Sequence, residues 1–149
     1  MSRSTAIIAR ERRTCFVKLL LAAAVALIDQ DCRVLIAQRP LDKSFAGLWE
    51  FPGGKVELKE RPEAALIREL REELGIAVEE ACLAPLTFAS FAYPDFHLLM
   101  PLYICRRWTG FVAARENQTL KWARPQDLRA YPMLPADAPL IPALLDLLC

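Results

Sequence analysis

Three glutamates near the middle of the chain are spaced so that they could bind a metal ion together. Glu69, Glu72 and Glu73 lie within residues 54–76, which read GKVELKERPEAALIRELREELGI. On an α-helix, with about 100° between successive residues, all three project into one narrow sector. Carboxylate oxygens are the ligands that hard divalent cations prefer, so the spacing indicates a cation site. A solvated acidic helix face is the alternative interpretation of this pattern.

The residues around the glutamates predict a helix over residues 62–74. Pro52-Gly53-Gly54 interrupts the chain before it and allows the backbone to approach a ligand closely. Pro62 suits the first helical turn, and Gly75 suits the position after the last one. The helix should pack through the face opposite the acids. That face carries Ala64, Ile67, Leu70 and Leu74, whereas Leu66 lies near the acids.

Taken whole, this stretch resembles the signature of the Nudix hydrolases, G-x5-E-x7-R-E-U-x-E-E-x-G-U, in which U is a bulky aliphatic residue. Every specified position is filled, which makes the match far more specific than a lone glycine pattern. The matching residues are Gly54, Glu60, Arg68, Glu69, Leu70, Glu72, Glu73, Gly75 and Ile76.

The resemblance implies an α+β Nudix fold, in which a mixed β-sheet is sandwiched between α-helices. It also implies an enzyme that uses Mg²⁺ or Mn²⁺ to hydrolyse nucleoside diphosphates that are linked to another group. Further stretches resemble the MutT-like branch, which converts 8-oxo-dGTP to 8-oxo-dGMP and pyrophosphate and so removes a mutagenic nucleotide. These stretches are residues 48–57, 93–98, 107–108 and 134–140. The alternative to an enzyme is a regulatory module that binds a nucleotide without hydrolysing it. Such a module would be expected to lack one of the signature acids, and none is missing.

The resemblance also assigns catalytic and metal-binding roles. Glu69, Glu72 and Glu73 would hold the metal, with Glu69 as the general base and Arg68 orienting a signature glutamate. For Arg68 an ordinary surface salt bridge is the alternative. The Gly53 carbonyl and the Glu116 carboxylate would complete the implied metal ligands.

The implied nucleotide-binding residues are Arg39, Phe51, Tyr93 and Asp137. Arg39 would lie near the phosphates or the sugar, and Phe51 and Tyr93 would stack on the base. A solvated loop arginine and two core aromatics are the alternatives.

Asp137 departs from close relatives that act on 8-oxo-dGTP, which often have asparagine at this position. An ionised aspartate only accepts hydrogen bonds. It could accept from the N7–H of oxidised guanine or from the amino group of cytosine, so CTP or a modified dCTP is the alternative substrate. Asp137 could also simply cap the following helix.

Composition limits the other possibilities. At 149 residues, the chain should form a mobile lead-in over residues 1–15 and one Nudix domain over residues 16–149. A net charge of +1 predicts no nucleic-acid polymer as partner, and a small nucleoside triphosphate remains the expected one. Five scattered cysteines without a C-x-x-C pair, and one histidine, argue against a disulfide framework or a zinc site. A cytoplasmic location is therefore expected. The sequence leaves the oligomeric state open, with a monomer favoured.

The apolar run over residues 19–28 is too short to span a membrane. It could serve as a signal peptide, but no small-residue cleavage site follows, and a buried strand over residues 16–28 is favoured. Its alanine-rich centre is also compatible with a helix. In the strand that is predicted over residues 97–106, Pro101 should occupy a sheet edge or a bulge. Further strands are predicted over residues 33–38, 48–51, 76–78 and 86–93, and residues 116–122 should form a loop that runs into a short strand. Short helices are predicted over 125–129 and 143–148, and an irregular loop over 131–142.

Overall fold

A computed structural model describes residues 17–148, so the predicted lead-in over residues 1–15 lies outside the described part. The strands are β1 (Leu19–Leu27), β2 (Val34–Gln38), β3 (Trp49–Glu50), β4 (Gly53–Lys55), β5 (Ala84–Ala92), β6 (His97–Cys105) and β7 (Thr119–Ala123). The α-helices are α1 (Pro62–Leu74) and α2 (Ile141–Leu148), and short 3₁₀ helices occur at Glu80–Cys82, Pro125–Ala130 and Ala138–Leu140.

The strands form two sheets. The first has the order β4-β1-β6-β5, with β1 and β6 parallel and the other pairs antiparallel. The second has the order β3-β2-β7 and is antiparallel throughout. The first sheet is therefore mixed, as the predicted fold class requires.

Strand β1 is buried on both faces, which explains its uninterrupted apolar sequence. Ala22, Ala24 and Ala26 belong to the core that also contains Leu144 of α2. Ala23, Val25 and Leu27 belong to the core that contains Leu66, Leu70 and Leu74 of α1. The mixed sheet thus lies between the two helices, and the predicted fold class is confirmed. No helix within residues 17–148 is long and apolar enough to cross a membrane.

Helix α1 has the predicted bounds, and Leu70 and Leu74 of its predicted packing face are buried, but the buried face is rotated toward Leu66. Leu66 is completely buried, whereas Ala64 is exposed and Ile67 is only half-buried. The residues buried on α1 are Ala65, Leu66, Leu70 and Leu74. At about 100° per residue, Glu69 and Glu73 fall inside this buried sector. Glu69 and Glu73 therefore share the packed side of the helix, whereas Glu72 is exposed.

Pro101 lies in a central strand, so the prediction that it needs an edge or a bulge is wrong. Strand β6 pairs with β1 on one side and with β5 on the other. Its pairing with β1 runs from His97 to Leu99 and resumes in the same register at Leu102. A proline has no N–H to donate, and its ladder with β1 has a gap here without a change of register. On the other side, β5 carries an irregularity between Pro85 and Thr87, next to the residue that pairs with Pro101.

Two further elements differ from expectation. The strand that was predicted over residues 76–78 is reduced to one bridge between Ala77 and Thr109. The glycine pair, expected to end a strand, instead forms β4, in which Gly53 pairs with Ala24. A Cβ atom on Gly53 would collide with the carbonyl oxygen of Ala23, so only glycine allows this close pairing.

Candidate active site

A cavity of about 330 Å³ opens beside β4 and α1. Its acidic wall contains Glu69 and Glu73 from α1, Gly53 and Gly54 from β4, and Glu116 from the loop before β7. The remaining lining includes Arg39, Glu50, Phe51, Tyr93 and Asp137. One cavity therefore brings together all the residues that were predicted to bind the metal or the nucleotide, except Glu72. Arg68, which was predicted to orient a glutamate, also lies outside the lining.

The close approach of α1 to β4 places Glu69 and Glu73 at the cavity. A Cβ atom on Gly54 would lie 2.6 Å from Oε1 of Glu69, so a larger residue would displace the carboxylate. Burial, together with the hydrogen-bonding Glu69 carboxylate and the charge of Glu116, raises the pKa of Glu73 to about 9. The Glu73 carboxyl group therefore ionises less readily than an ordinary glutamate.

Arg68 is hydrogen-bonded to both Glu69 and Glu60. Its Nη1 atom donates to Oε1 of Glu69 at 2.8 Å, and its Nε and Nη2 atoms donate to Glu60 at 2.9 Å. These hydrogen bonds from Arg68 hold the pKa of Glu60 at about 2. The orienting role of Arg68 stays a prediction, and in the structure Glu60 holds the guanidinium of Arg68 on the side away from Glu69.

Glu72 lies apart from its two neighbours. Its side chain is 56% exposed and its Oε2 atom is 3.7 Å from Nη1 of Arg68. Within residues 17–148, no group of three or more histidine, cysteine, aspartate or glutamate side chains is arranged to hold a metal ion. The role of Glu72 as a metal ligand therefore stays a prediction that requires its side chain to turn.

The donor set nevertheless suits a hard divalent cation. Glu69, Glu73 and Glu116 present carboxylate oxygens to one cavity, which Gly53 also lines. Burial above all, and the neighbouring Glu69 carboxylate next, raise the pKa of Glu73, and a bound cation would stabilise its ionised form against both.

Arg39 and Glu50 form an ion pair in the cavity wall. Nη1 of Arg39 lies 3.2 Å from Oε2 of Glu50, and Nε donates to the carbonyl of Ser44 at 2.7 Å. Burial raises the pKa of Glu50, although the charge of Arg39 opposes this. The sequence did not single out Glu50, because the two-residue β3 is too short for an alternating pattern to show which side chain faces the cavity.

Asp137 is buried and faces the same cavity. It is only 3% exposed, and its Oδ2 atom accepts a hydrogen bond from the Phe51 N–H at 2.9 Å. Burial raises its pKa to about 7, against the lowering effect of that hydrogen bond. Its side chain makes no capping hydrogen bond to the 3₁₀ helix that follows, so the capping interpretation is wrong.

The two aromatic candidates have different surroundings. Phe51 is 3% exposed and is part of the core as well as of the cavity wall. Tyr93 is more accessible and stacks on Phe96, with 4.8 Å between the ring centroids. His97, the one histidine of the chain, forms a hydrogen bond of 2.7 Å with Ser90 through Nε2 and is not part of the lining.

The raised pKa of Asp137 should make the protein less stable as the pH rises. An unfolded aspartate ionises near pH 4, whereas the folded one ionises near pH 7. The folded state therefore holds the proton of Asp137 more tightly than the unfolded state does. The contribution of this proton to the stability of the fold is complete below pH 4 and is lost as the pH rises through 7. The amide side chain that the variant D137N introduces cannot ionise, but it can still accept from the Phe51 N–H. We therefore expect the native protein to lose up to about 4 kcal/mol of unfolding free energy relative to D137N between pH 4 and 8.

Urea unfolding of both proteins at several pH values would measure this difference. The exposed Asp42 provides the control, because D42N should follow the pH dependence of the native protein. Parallel curves for D137N and the native protein would contradict the predicted ionisation.

Known proteins resemble this chain over most of its length. A family model described as a NUDIX domain matches residues 23–143. The chain is 38% identical over 138 residues to the CTP pyrophosphohydrolase of Escherichia coli (strain K12), covering 86% of this chain and 93% of that protein. It is 45% identical over 100 residues to the 8-oxo-dGTP diphosphatase of Proteus vulgaris, covering 67% and 87%. The solution structure of the E. coli ORF135 protein matches with a TM-score of 0.77 at 36% identity, covering 88% and 91%.

Proposed function

This chain belongs to the NUDIX domain family, and on that premise we propose that it hydrolyses a nucleoside triphosphate to the monophosphate and pyrophosphate, with 8-oxo-dGTP as the leading substrate. The observation that carries the proposal is the adjacent Glu69 and Glu73 pair beside the glycines of β4, in a cavity that also contains the buried Asp137. No signature acid is missing, which weighs against a regulatory module without turnover. The cytoplasmic location and the monomeric state stay predictions.

A divalent cation, Mg²⁺ or Mn²⁺, would be held by Glu69, Glu72, Glu73, Glu116 and the Gly53 carbonyl, and would neutralise charge on the phosphate oxygens. The protein's own groups then have separate tasks. Glu69 accepts the proton of the attacking water, and Arg68 keeps its carboxylate in place through the 2.8 Å hydrogen bond. Arg39 supplies positive charge at the cavity wall toward the phosphates or the sugar.

The base is bound at the side of the cavity that carries Phe51, Tyr93 and Asp137. Tyr93 is half-buried in the cavity lining and is the ring that would stack on the base. Because Oδ2 of Asp137 already accepts from Phe51, the other oxygen of its carboxyl group is the one left for the base. An ionised Asp137 accepts a hydrogen bond there, and a protonated one can donate.

CTP, or a modified dCTP, is the second candidate substrate. It is favoured by the aspartate at position 137, since an ionised carboxylate is a good acceptor for the cytosine amino group. The likeness to a protein named CTP pyrophosphohydrolase supports the same choice. The two candidates differ in the base edge that Asp137 must recognise.

A panel of nucleoside triphosphates tests the proposal. It would contain the ordinary ribo- and deoxyribonucleotides, 8-oxo-dGTP and an oxidised dCTP, each assayed with Mg²⁺ for released pyrophosphate and monophosphate. We expect equal amounts of the two products and the highest kcat/KM for 8-oxo-dGTP. Highest activity on CTP or oxidised dCTP would select the second candidate. Release of orthophosphate, or no hydrolysis of any nucleotide, would refute both.

A further inference from the structure

The loop that carries Glu116 is attached to the C-terminal turn of α1. The N–H of Ala113 donates to the carbonyl of Leu74 at 3.1 Å, and the N–H of Arg115 donates to the carbonyl of Glu73 at 3.0 Å. The last turn of a helix has carbonyls without partners inside the helix, and the loop supplies donors to them. The loop and the helix therefore meet at the residue that also supplies the Glu73 carboxylate.

The side chain of Gln118 adds a bridge at this junction. Its Nε2 atom donates to the carbonyl of Glu73 at 3.0 Å. Its Oε1 atom accepts from the N–H of Glu116 at 2.8 Å. Asn117 between them has a φ of 60°, a left-handed conformation that turns the chain back so that this short contact forms. Gln118 is half-buried and lines the cavity.

We propose that Gln118 is a positioning residue, which fixes the backbone of Glu116 to the turn of α1 that bears Glu73 so that both carboxylates face one cation. The inference rests on the proposed function, because it assigns Gln118 to the same site. A primary amide of this length offers the donor for Glu73 and the acceptor for Glu116 at once. Glu116 needs such support, since its side chain is 41% exposed and its ion pair with Lys43 spans 4.0 Å.

The variant Q118M tests this role, because methionine has a similar length and neither hydrogen bond. Mn²⁺ binding to the protein without nucleotide would be measured by electron paramagnetic resonance of the free ion. The Mg²⁺ concentration for half-maximal pyrophosphate release would be measured separately. Loss of a group that orients a metal ligand typically weakens metal binding about 10- to 100-fold, and we expect a change of this size in both measurements. At saturating metal, kcat should change much less.

Two comparisons separate this role from general loop stability. The exposed Gln126 lies outside the cavity lining, and Q126M should bind Mn²⁺ like the native protein. If Gln118 acts through Glu116, the double variant Q118M/E116Q should bind Mn²⁺ no more weakly than E116Q alone. Native-like Mn²⁺ binding by Q118M, or additive losses in the double variant, would overturn the inference.

The outcome can be distinguished from a failure of the proposed function. A native protein that binds no Mn²⁺ and hydrolyses no nucleotide would refute the function itself. A native protein that does both, while Q118M also does both normally, would refute only the role of Gln118. Thermal unfolding would check that Q118M is folded, and Q118A would replace it in the same measurements if it is not.

Discussion

Replacing Glu69 with glutamine should lower kcat by at least the roughly 10²- to 10⁴-fold expected for loss of a general base. Glutamine keeps the shape of the side chain but loses its charge and its basicity. The change would also remove a charged partner from Arg68, which now donates to Glu69 at 2.8 Å. Hydrolysis by the native protein should likewise stop in excess chelator, because the carboxylates need a cation to neutralise the phosphates.

The measurement is the steady-state rate of pyrophosphate release with saturating Mg²⁺. The exposed Glu79 provides a matched control, since E79Q makes the same chemical change away from the cavity. E79Q should retain the native rate. A near-normal rate in folded E69Q protein would show that Glu69 is not the general base. Full turnover in excess chelator would show that the reaction needs no cation.

Asp137→Asn should change the preference for the base in opposite directions for the two candidate substrates. The amide can keep its oxygen on the Phe51 N–H, where the native distance is 2.9 Å, and then presents its NH₂ group to the base. A donor suits O6 of 8-oxoguanine, so kcat/KM for 8-oxo-dGTP should rise if this is the natural substrate. The same donor faces the donating amino group of cytosine, so activity on CTP should fall.

A hydrogen bond of this kind discriminates by about 1–3 kcal/mol, or roughly 5- to 150-fold in kcat/KM. Both substrates would therefore be assayed with the native protein, D137N and D137A. The alanine variant should raise KM or blur the preference without favouring either base. If D137N is unchanged on every nucleotide, Asp137 does not contact the base.

The spacing of the signature predicted α1 and placed Glu69 and Glu73 together, because Pro62 and Gly75 bound the helix and i,i+4 positions share a face. The orientation of α1 was not predictable in this way. Charged residues ordinarily face solvent, and only the missing side chain of Gly54 allows Glu69 to lie on the packed side. That contact joins a residue of β4 to a residue of α1, and the periodicity of the helix alone gives no information about it.

Glu50 and Gln118 were missed for a similar reason. Strand β3 has two residues, too few for an alternating pattern to show which one faces a core. Gln118 acquires its role from hydrogen bonds to Glu73 and Glu116, and the partner in α1 is 45 residues away in the sequence. Pro101 is a case in which a sequence rule misled the prediction. Proline is normally excluded from central strands, but β6 contains it because the ladder with β1 is interrupted there.

The small side chains of β1 also determine how far the protein tolerates change. Ala22, Ala23 and Ala24 line the cavity from the strand that the two cores share. A larger residue at these positions would have to take up cavity volume or strain a packed layer. The depth available to a nucleotide is thus limited by residues with no chemical function of their own. Laboratory selection for altered substrate size would be expected to find its variants in this strand as well as among the polar residues.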